Sequence, residues 1–257
     1  MLACLIFGLF RPFNFNVEYE FSETSAVKFE PVIEEMIVKM DFGSINLSTW
    51  EKDYIEGEII KEAEKEKDLK KIKLEKEKIG SRVKIKVKGK GRIKNARVKV
   101  NLKIPEKLKK METSINAGNL NLNGEKFTCE NMDVKINAGS CNLSINNLKI
   151  AELGVNINAG NMEIEGEKFS FNNMNIEINA GSGELHTKEI SGKNMEIEVN
   201  AGNMEIYLPE DENIGIIEKE GVSRVSSDLP IYTKDVDKPF KIKLEVNAGK
   251  IEIHKIE

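Results

Sequence analysis

The sequence predicts an all-β fold, a parallel β-solenoid of 21-residue coils. Three observations predict it. The tetrapeptide INAG occupies 115–118, 136–139, 157–160 and 178–181, and VNAG occupies 199–202 and 246–249. Between these marks apolar and polar residues alternate, the period of a strand rather than of a helix. Each alternating run is closed by turn formers, with glycine fourth in every coil. A lone coil cannot bury its apolar side, whereas stacked neighbours can.

Numbering each coil from the residue before Asn-Ala-Gly makes the columns explicit. Position one holds Ile115, Ile136, Ile157, Ile178, Val199 and Val246. Position six runs from Leu120 through Cys141, Met162, Gly183 and Met204 to Ile251, and position eight from Leu122 to Ile253. Positions thirteen, eighteen and twenty are apolar too, as at Phe127, Met132 and Val134. Three short strands per coil follow. The corner glycine is expected where the backbone needs positive φ or lacks room for a Cβ. The alanine before it is expected inside a narrow corner. The asparagine is expected outside, its amide bonding nearby backbone as a structural ladder.

The interval from 202 to 249 is predicted to hold one degenerate coil. Ile214 and Ile216 would take positions eighteen and twenty, Gly221 the corner and Val225 position eight. An excursion follows, punctuated by Pro230 and Pro239. The chain then stops halfway round a coil, which would leave an open β-edge.

The N-terminal part carries a faint copy of the coil. MIVKMDFGSINL places Met36, Val38, Met40 and Phe42 before Gly43, then Ile45 and Leu47. IKLEKEKIGSRVKIKV reads as a hairpin turning at Gly80-Ser81, and KEAEKEKDLKK as a loop or short surface helix. The expected organisation is 1–14 as a remnant export or anchor segment, 15–110 as an N-terminal β region with one early coil, and 111–257 as the solenoid. The degenerate coil and excursion lie within 207–245. MLACLIFGLF is apolar and uncharged but too short to span a bilayer, which takes about 20 residues. It resembles the end of a signal h-region, with a packed strand as the alternative.

Composition narrows the function classes. Aromatics are 6% and charged residues 32% of 257 residues, so the core is aliphatic and the surface heavily charged. Residues 1–113 carry a net +6 and the remainder a net -10. Between Arg82 and Lys110 stand 13 basic residues and one acid, Glu106. That stretch is a candidate contact for an anionic polymer or membrane surface; solvated strand faces are the alternative. It lacks the interleaved aromatics of a nucleic-acid binder, and no specific nucleic acid is expected. Three cysteines exclude a disulfide framework, and Cys129 and Cys141 fall on inward positions.

No residue emerges as catalytic, cofactor-binding or metal-ligating. Position seven gives an outward column, Asn121, Asn142, Glu163, Glu184, Glu205 and Glu252. Stacked carboxylates repel and could recruit a cation, or serve a polysaccharide-cleaving enzyme, yet this column is regular rather than focused. His186 and His254 share position nine with Tyr207 and are too far apart to chelate one metal. Asn46 and Asn142 begin N-glycosylation sequons on outward positions.

The order of DFGSINL, strands ending in NLKIP, repeated NAGN-type coils, IYLPEDENIGIIEKEGVSRVSSDLP and a last VNAGKIEI resembles the putative-adhesin family of β-strand-repeat domains of unknown function, over roughly 15–257. The resemblance implies a right-handed β-solenoid, export or membrane anchoring in many members, links to envelope stress in some, and no catalytic residues to carry over. The expected function is a non-enzymatic, adhesin-like solenoid of the cell envelope or exterior, without cofactor, presenting charged faces to polymers, surfaces or partner proteins. The alternatives are a scaffold self-assembling through its terminal coils, cytoplasmic if the chain is not exported, and a carbohydrate-active β-helix enzyme.

Overall fold

The computed structural model describes residues 19–30, 32–218, 225–234 and 236–256. The expectations for 1–14 and for Gly221 lie outside the described residues. One continuous sheet winds through the molecule. Its elements are β1 (Phe21–Phe29), β2 (Glu35–Trp50), β3 (Ile55–Ala63), the short α1 (Glu66–Leu69), β4 (Ile72–Ile79), β5 (Arg82–Gly89), β6 (Ala96–Pro105), β7 (Lys107–Ile157), β8 (Gly160–Ile178), β9 (Gly181–Ser191), β10 (Asn194–Pro209), β11 (Ile214–Glu218), β12 (Val225–Ser227), β13 (Ile231–Tyr232) and β14 (Phe240–Ile256).

The repeat sets the register. Gly139 pairs with Gly160 and Gly160 with Gly181, each 21 residues on, in parallel ladders. Inward columns form the core: Ile115, Ile136, Ile157 and Ile178 are each at most 1% exposed. Volumes compensate along a column. Gly183 leaves a gap at position six, and the side chains of Met204 and Ile178 fill it, since a Cβ there would sit 2.4 Å from the Met204 sulfur and 2.5 Å from Ile178.

The corner glycines meet both conditions. Gly160 has φ of 143°, in the left-handed region. A Cβ on it would lie 1.7 Å from the carbonyl oxygen of Gly139 one coil below. No side chain fits there. The alanine differs from expectation. Ala117, Ala138, Ala159, Ala180, Ala201 and Ala248 are exposed, like most of the asparagines beside them. The left-handed glycine breaks the strand alternation, so two successive residues point outward before inward parity resumes at position six.

At both ends the stacking order departs from the chain order. The sheet runs β1-β3-β6-β2-β7-β8-β9-β10-β14-β11-β13, with β12 on β14 and β4 on β5. β2 is the early coil: Met36 pairs with Met111, Gly43 with Gly118 and Leu47 with Leu122. It is nevertheless not the outermost layer. The later β5 and β6 cover its other edge, Met36 against Val83 and Leu47 against Leu102. Antiparallel β3 and β1 then continue the sheet from β6. β4 and β5 form the hairpin, with Ile79 opposite Arg82.

The C-terminal end mirrors this. β14 lies directly on β10, Val246 on Val199 and Gly249 on Gly202. The degenerate coil stacks outside it, β11 on Phe240–Leu244 and β12 on Ile251–Ile253. The final VNAG coil is therefore an interior layer, not the open edge expected of it. The degenerate coil also sits two residues from its expected register. Ile216 pairs with Ile242, which pairs with Met195, so Ile216 and not Ile214 takes position eighteen. Val225 pairs with Ile251 and takes position six, not eight. Ile214 through Ile217 are all buried, because Gly215 is covered from outside by Val236 and Lys238. A strand buried on both faces loses the alternation that would reveal its register.

Candidate functional site

The faces of the solenoid are columns of side chains one strand spacing apart, about 4.8 Å. Position two is a ladder of amides. Each asparagine donates from Nδ2 to Oδ1 of the one below: Asn137 to Asn116 at 2.9 Å, Asn158 to Asn137 at 2.7 Å, Asn179 to Asn158 at 2.9 Å and Asn200 to Asn179 at 2.8 Å. Asn247 donates to Asn200 at 2.6 Å, across the 47-residue sequence interval. The partner is thus the neighbouring amide, not the backbone. All donors point one way, and the first of them, Asn116, ends on the Asp41 carboxylate at 3.2 Å. Asp41 also accepts the Gly89 N–H at 2.9 Å, tying the ladder to β5. A negative charge at the donor end of aligned amide dipoles is stabilising, as at a helix N-terminus.

Position seven changes character along the axis. At the N-terminal end Asn121 donates to Asn46 and Asn46 to Asn101, both at 2.8 Å. Both nitrogens point toward Glu58, which receives Asn101 at 3.4 Å. Further on come Glu163, Glu184, Glu205 and Glu252 in register. Two of these carboxylates are relieved locally: Tyr207 donates its hydroxyl to Glu205 at 2.8 Å, and Lys250 bridges to Glu252 at 2.6 Å. The hydrogen bond to Glu205 raises the Tyr207 phenol above its ordinary value, and the charges of Glu184 and Glu252 add to it. A shallow groove of about 450 Å³ runs beside this column, between Asn121 and Glu205.

Position nine stacks beside it. His186 meets Tyr207 at 5.5 Å between ring centroids, and Tyr207 stacks on His254 at 4.8 Å. Glu165 stands before His186 in the register, and the Asp228 carboxylate lies 3.8 Å from Nδ1 of His254. The aromatic column is therefore bracketed by acids. Tyr207 and His254 stack with their planes 26° apart, whereas His186 is tilted by 60° to Tyr207, so the column offers no single flat platform. Among the described residues no three histidine, cysteine or acidic side chains come together as a metal set.

The excursion folds back over the sheet and makes a cleft of about 590 Å³, lined by Glu196, Glu198, Glu218, Lys234 and Lys243, with Lys243 bridged to its register partner Glu196 at 3.4 Å. Sequence reading missed it, because the cleft depends on β11 stacking outside β14.

About half of the basic stretch is paired with acids, most of them distant in sequence. Arg82 bridges to Glu35 at 2.6 Å, Lys109 to Glu34 at 2.8 Å, and Arg97 to Glu62. Lys86 and Lys88 share Glu75, Lys99 reaches Glu62 at 3.8 Å and Lys110 reaches Glu112 at 3.8 Å. Lys103 lies over the Trp50 ring at 5.5 Å. Positive charge persists around the turn between β5 and β6, where Lys90, Arg92 and Lys94 are exposed. Nearby, the charge of Lys84 lowers the Lys86 ammonium below its ordinary value, with burial adding to the effect.

The sequence profile of the Toastrack DUF4097 family matches residues 33–256. The chain belongs to that family. The Toastrack match covers every described coil, from β2 to β14. The fold is similar to a putative cell adhesion protein from Clostridium sporogenes at 15% identity, covering 92% of this chain and 99% of that one with a TM-score of 0.39. It is also similar to a putative adhesin from Bacteroides fragilis, at 10% identity, 91% and 97% coverage and a TM-score of 0.43. A putative adhesin from Parabacteroides merdae matches at 14% identity, 92% and 96% coverage and a TM-score of 0.31. A search of curated proteins finds no match.

Within this Toastrack chain the remaining candidates resolve simply. Burial pushes the Cys129 thiol up to about 11 and the Cys141 thiol up to about 12, which holds both protonated and inert. The sequon asparagines are not free loop residues. Asn46 is bonded on both sides in its ladder, and Oδ1 of Asn142 is buried without a partner among the described residues. No helix of the described residues is long and apolar enough to cross a membrane.

Proposed function

We propose that this protein is a non-catalytic, adhesin-like solenoid of the cell envelope. It presents its charged faces to envelope polymers, surfaces or partner proteins. One observation carries the reading: over the coils from Glu163 to Glu252 the carboxylates of position seven recur in register, joined from His186 onward by the rings of position nine. A periodic face suits a repeating or extended partner, whereas catalysis needs a converging constellation with a base and its orienting group.

The test is retention of the purified chain on isolated envelope polymers, peptidoglycan and anionic wall polymer, at low and high salt. Retention that falls steeply with salt is expected, because exposed charges are screened. Passage through every such matrix at low salt overturns the reading. Release of reducing sugar from any of them, lost in a Glu184→Ala, Glu205→Ala double variant, would replace it with an enzyme. Cell fractionation with protease shaving tests the location. The scaffold alternative loses its motive, since β14 is paired on both edges along Phe240–Leu244 and Ile251–Ile253. Among the described strands, edge-to-edge self-association would have to use β1, β4, β12 or β13.

A further inference from the structure

We infer that the corner built by residues 64–73 and 88–95 is a docking surface for an anionic lipid bilayer. The inference rests on the envelope reading above and names one partner within it.

The two segments are distant in sequence and are held together by hydrogen bonds. The Lys90 N–H donates to the Lys71 carbonyl at 3.1 Å, and Lys71 Nζ donates to the Arg92 carbonyl at 2.8 Å. The Glu64 N–H donates to the Asn95 carbonyl at 2.9 Å, and the Asn95 amide donates to the Glu64 carboxylate. Cross-strand pairing of Ile72 with Gly89 joins the far side. The joined segments carry nine basic side chains and three acids, Glu64, Glu66 and Asp68. All three acids are already occupied: Glu66 pairs with Lys70 and Asp68 with Lys71, each at 2.7 Å, and Glu64 with Lys65 at 4.0 Å. Among the described residues Lys90, Arg92 and Lys94 form no ion pair, and all three are exposed. Backbone bonds fix the turn that carries them, so the charges are presented by a rigid support.

A polyanion of any kind would suit that charge. The second observation favours a bilayer. The described chain begins at this same corner: the Arg97 guanidinium lies 4.4 Å from the centroid of the Tyr19 ring, and Phe21 pairs with Ala63, which pairs with Ala96. The residues before Tyr19 in the sequence open with MLACLIFGLF, ten in a row without charge. An apolar segment and a basic cluster are the two signals that together hold a protein on an anionic membrane, where either alone is marginal. A soluble polymer offers the apolar segment nothing.

The experiment is co-sedimentation of the purified full chain with phosphatidylcholine vesicles and with vesicles containing 30% phosphatidylglycerol as a probe composition, roughly a physiological anionic surface. Each basic side chain near such a surface contributes about fivefold in partitioning. The triple variant Lys90→Glu, Arg92→Glu, Lys94→Glu is expected to lose at least about tenfold in binding with an unchanged thermal melt. The control Lys126→Glu, Lys149→Glu, Lys193→Glu makes the same change in net charge and is expected to bind as the parent does. Ile6→Asp with Leu9→Asp is expected to weaken binding to both compositions. Equal binding by the Lys90 triple variant overturns the inference, as does unchanged binding by the Ile6 and Leu9 variant. So does retention on a soluble anionic wall polymer without vesicle binding, which assigns the corner to a polymer. That last outcome leaves the envelope reading standing, whereas failure on both vesicles and polymers removes the two together.

Discussion

Between Met111 and Pro209 neighbours along the chain are neighbours in the stack, each coil lying 21 residues from the next. At the two ends they are not. β2 is sealed beneath β5 and β6, which follow it in sequence, and β14 is sealed beneath β11 and β12, which precede it. The middle shows how a solenoid grows, and the ends show how it stops. A growing stack needs each coil to match the last. A stopping stack needs an outer layer that is not another good template, because an exposed edge of regular coil recruits further strands. The chain achieves this by keeping its best-matched coils, Gly43 and Gly249 included, inside, and by turning irregular segments outward.

The most decisive contrast is covalent. In a Cys4→Ser background, Glu205→Cys with Glu252→Cys is expected to form a disulfide, since the two residues are register partners on adjacent strands. Glu205→Cys with Ser226→Cys is expected to form none. Ser226 lies on the far side of β14, roughly two strand spacings or about 9.6 Å away. Non-reducing electrophoresis reads both, and the reverse result would restore a stack that follows chain order.

Corner glycine and turn glycine separate next. Gly160→Ala places a methyl group against the Gly139 carbonyl at a left-handed φ. It is expected to cost at least about 3 kcal/mol and to abolish cooperative unfolding in urea. Gly80→Ala, in the hairpin turn with open space around it, is expected to cost about 1 kcal/mol. Equal effects would mean that the corners are not backbone contacts.

Thr113 tests where the two regions meet. It occupies an apolar column between Val38 and Val134, is 1% exposed, and its hydroxyl has no partner among the described residues. Thr113→Val is expected to stabilise the chain by about 1–2 kcal/mol in denaturant titration, because a buried unbonded hydroxyl is unfavourable. A loss of stability would point to a bonded hydroxyl.

The smallest effect belongs to the ladder. Asn158→Ala, in its middle, is expected to cost about 1 kcal/mol, since two amide bonds are exchanged for bonds to water. Asn116→Ala also takes one of the two hydrogen bonds from Asp41 and should cost no less.

The regular coils were legible because burial on one face writes a period of two into the sequence, and because the corner tolerates only glycine. Cys129 and Cys141 were placed by that parity alone. The outward alanine was not legible, since parity cannot report the residue at which a left-handed glycine resets it. Nor was the layer order. A column position says which way Met195 or Ile242 points, but not which coil lies above it. The two-residue error at Ile214 and Ile216 has the same origin, as burial on both faces removed the alternation. In the candidate site the acidic and aromatic columns were legible as spacing. The neutralisation of Arg82, Arg97 and Lys109 was not, because their carboxylate partners come from strands paired over long sequence distances.

The placement of β14 bears on how the chain is made. During synthesis or export β11 and β12 are delivered before the layer on which they rest, and β14 follows to fill the slot between them and β10. A chain cut short after Lys238 would hold every coil through Pro209 yet have no seat for its outer layer. The far end of the stack thus closes against the order of synthesis, its outer layer waiting on a strand made after it.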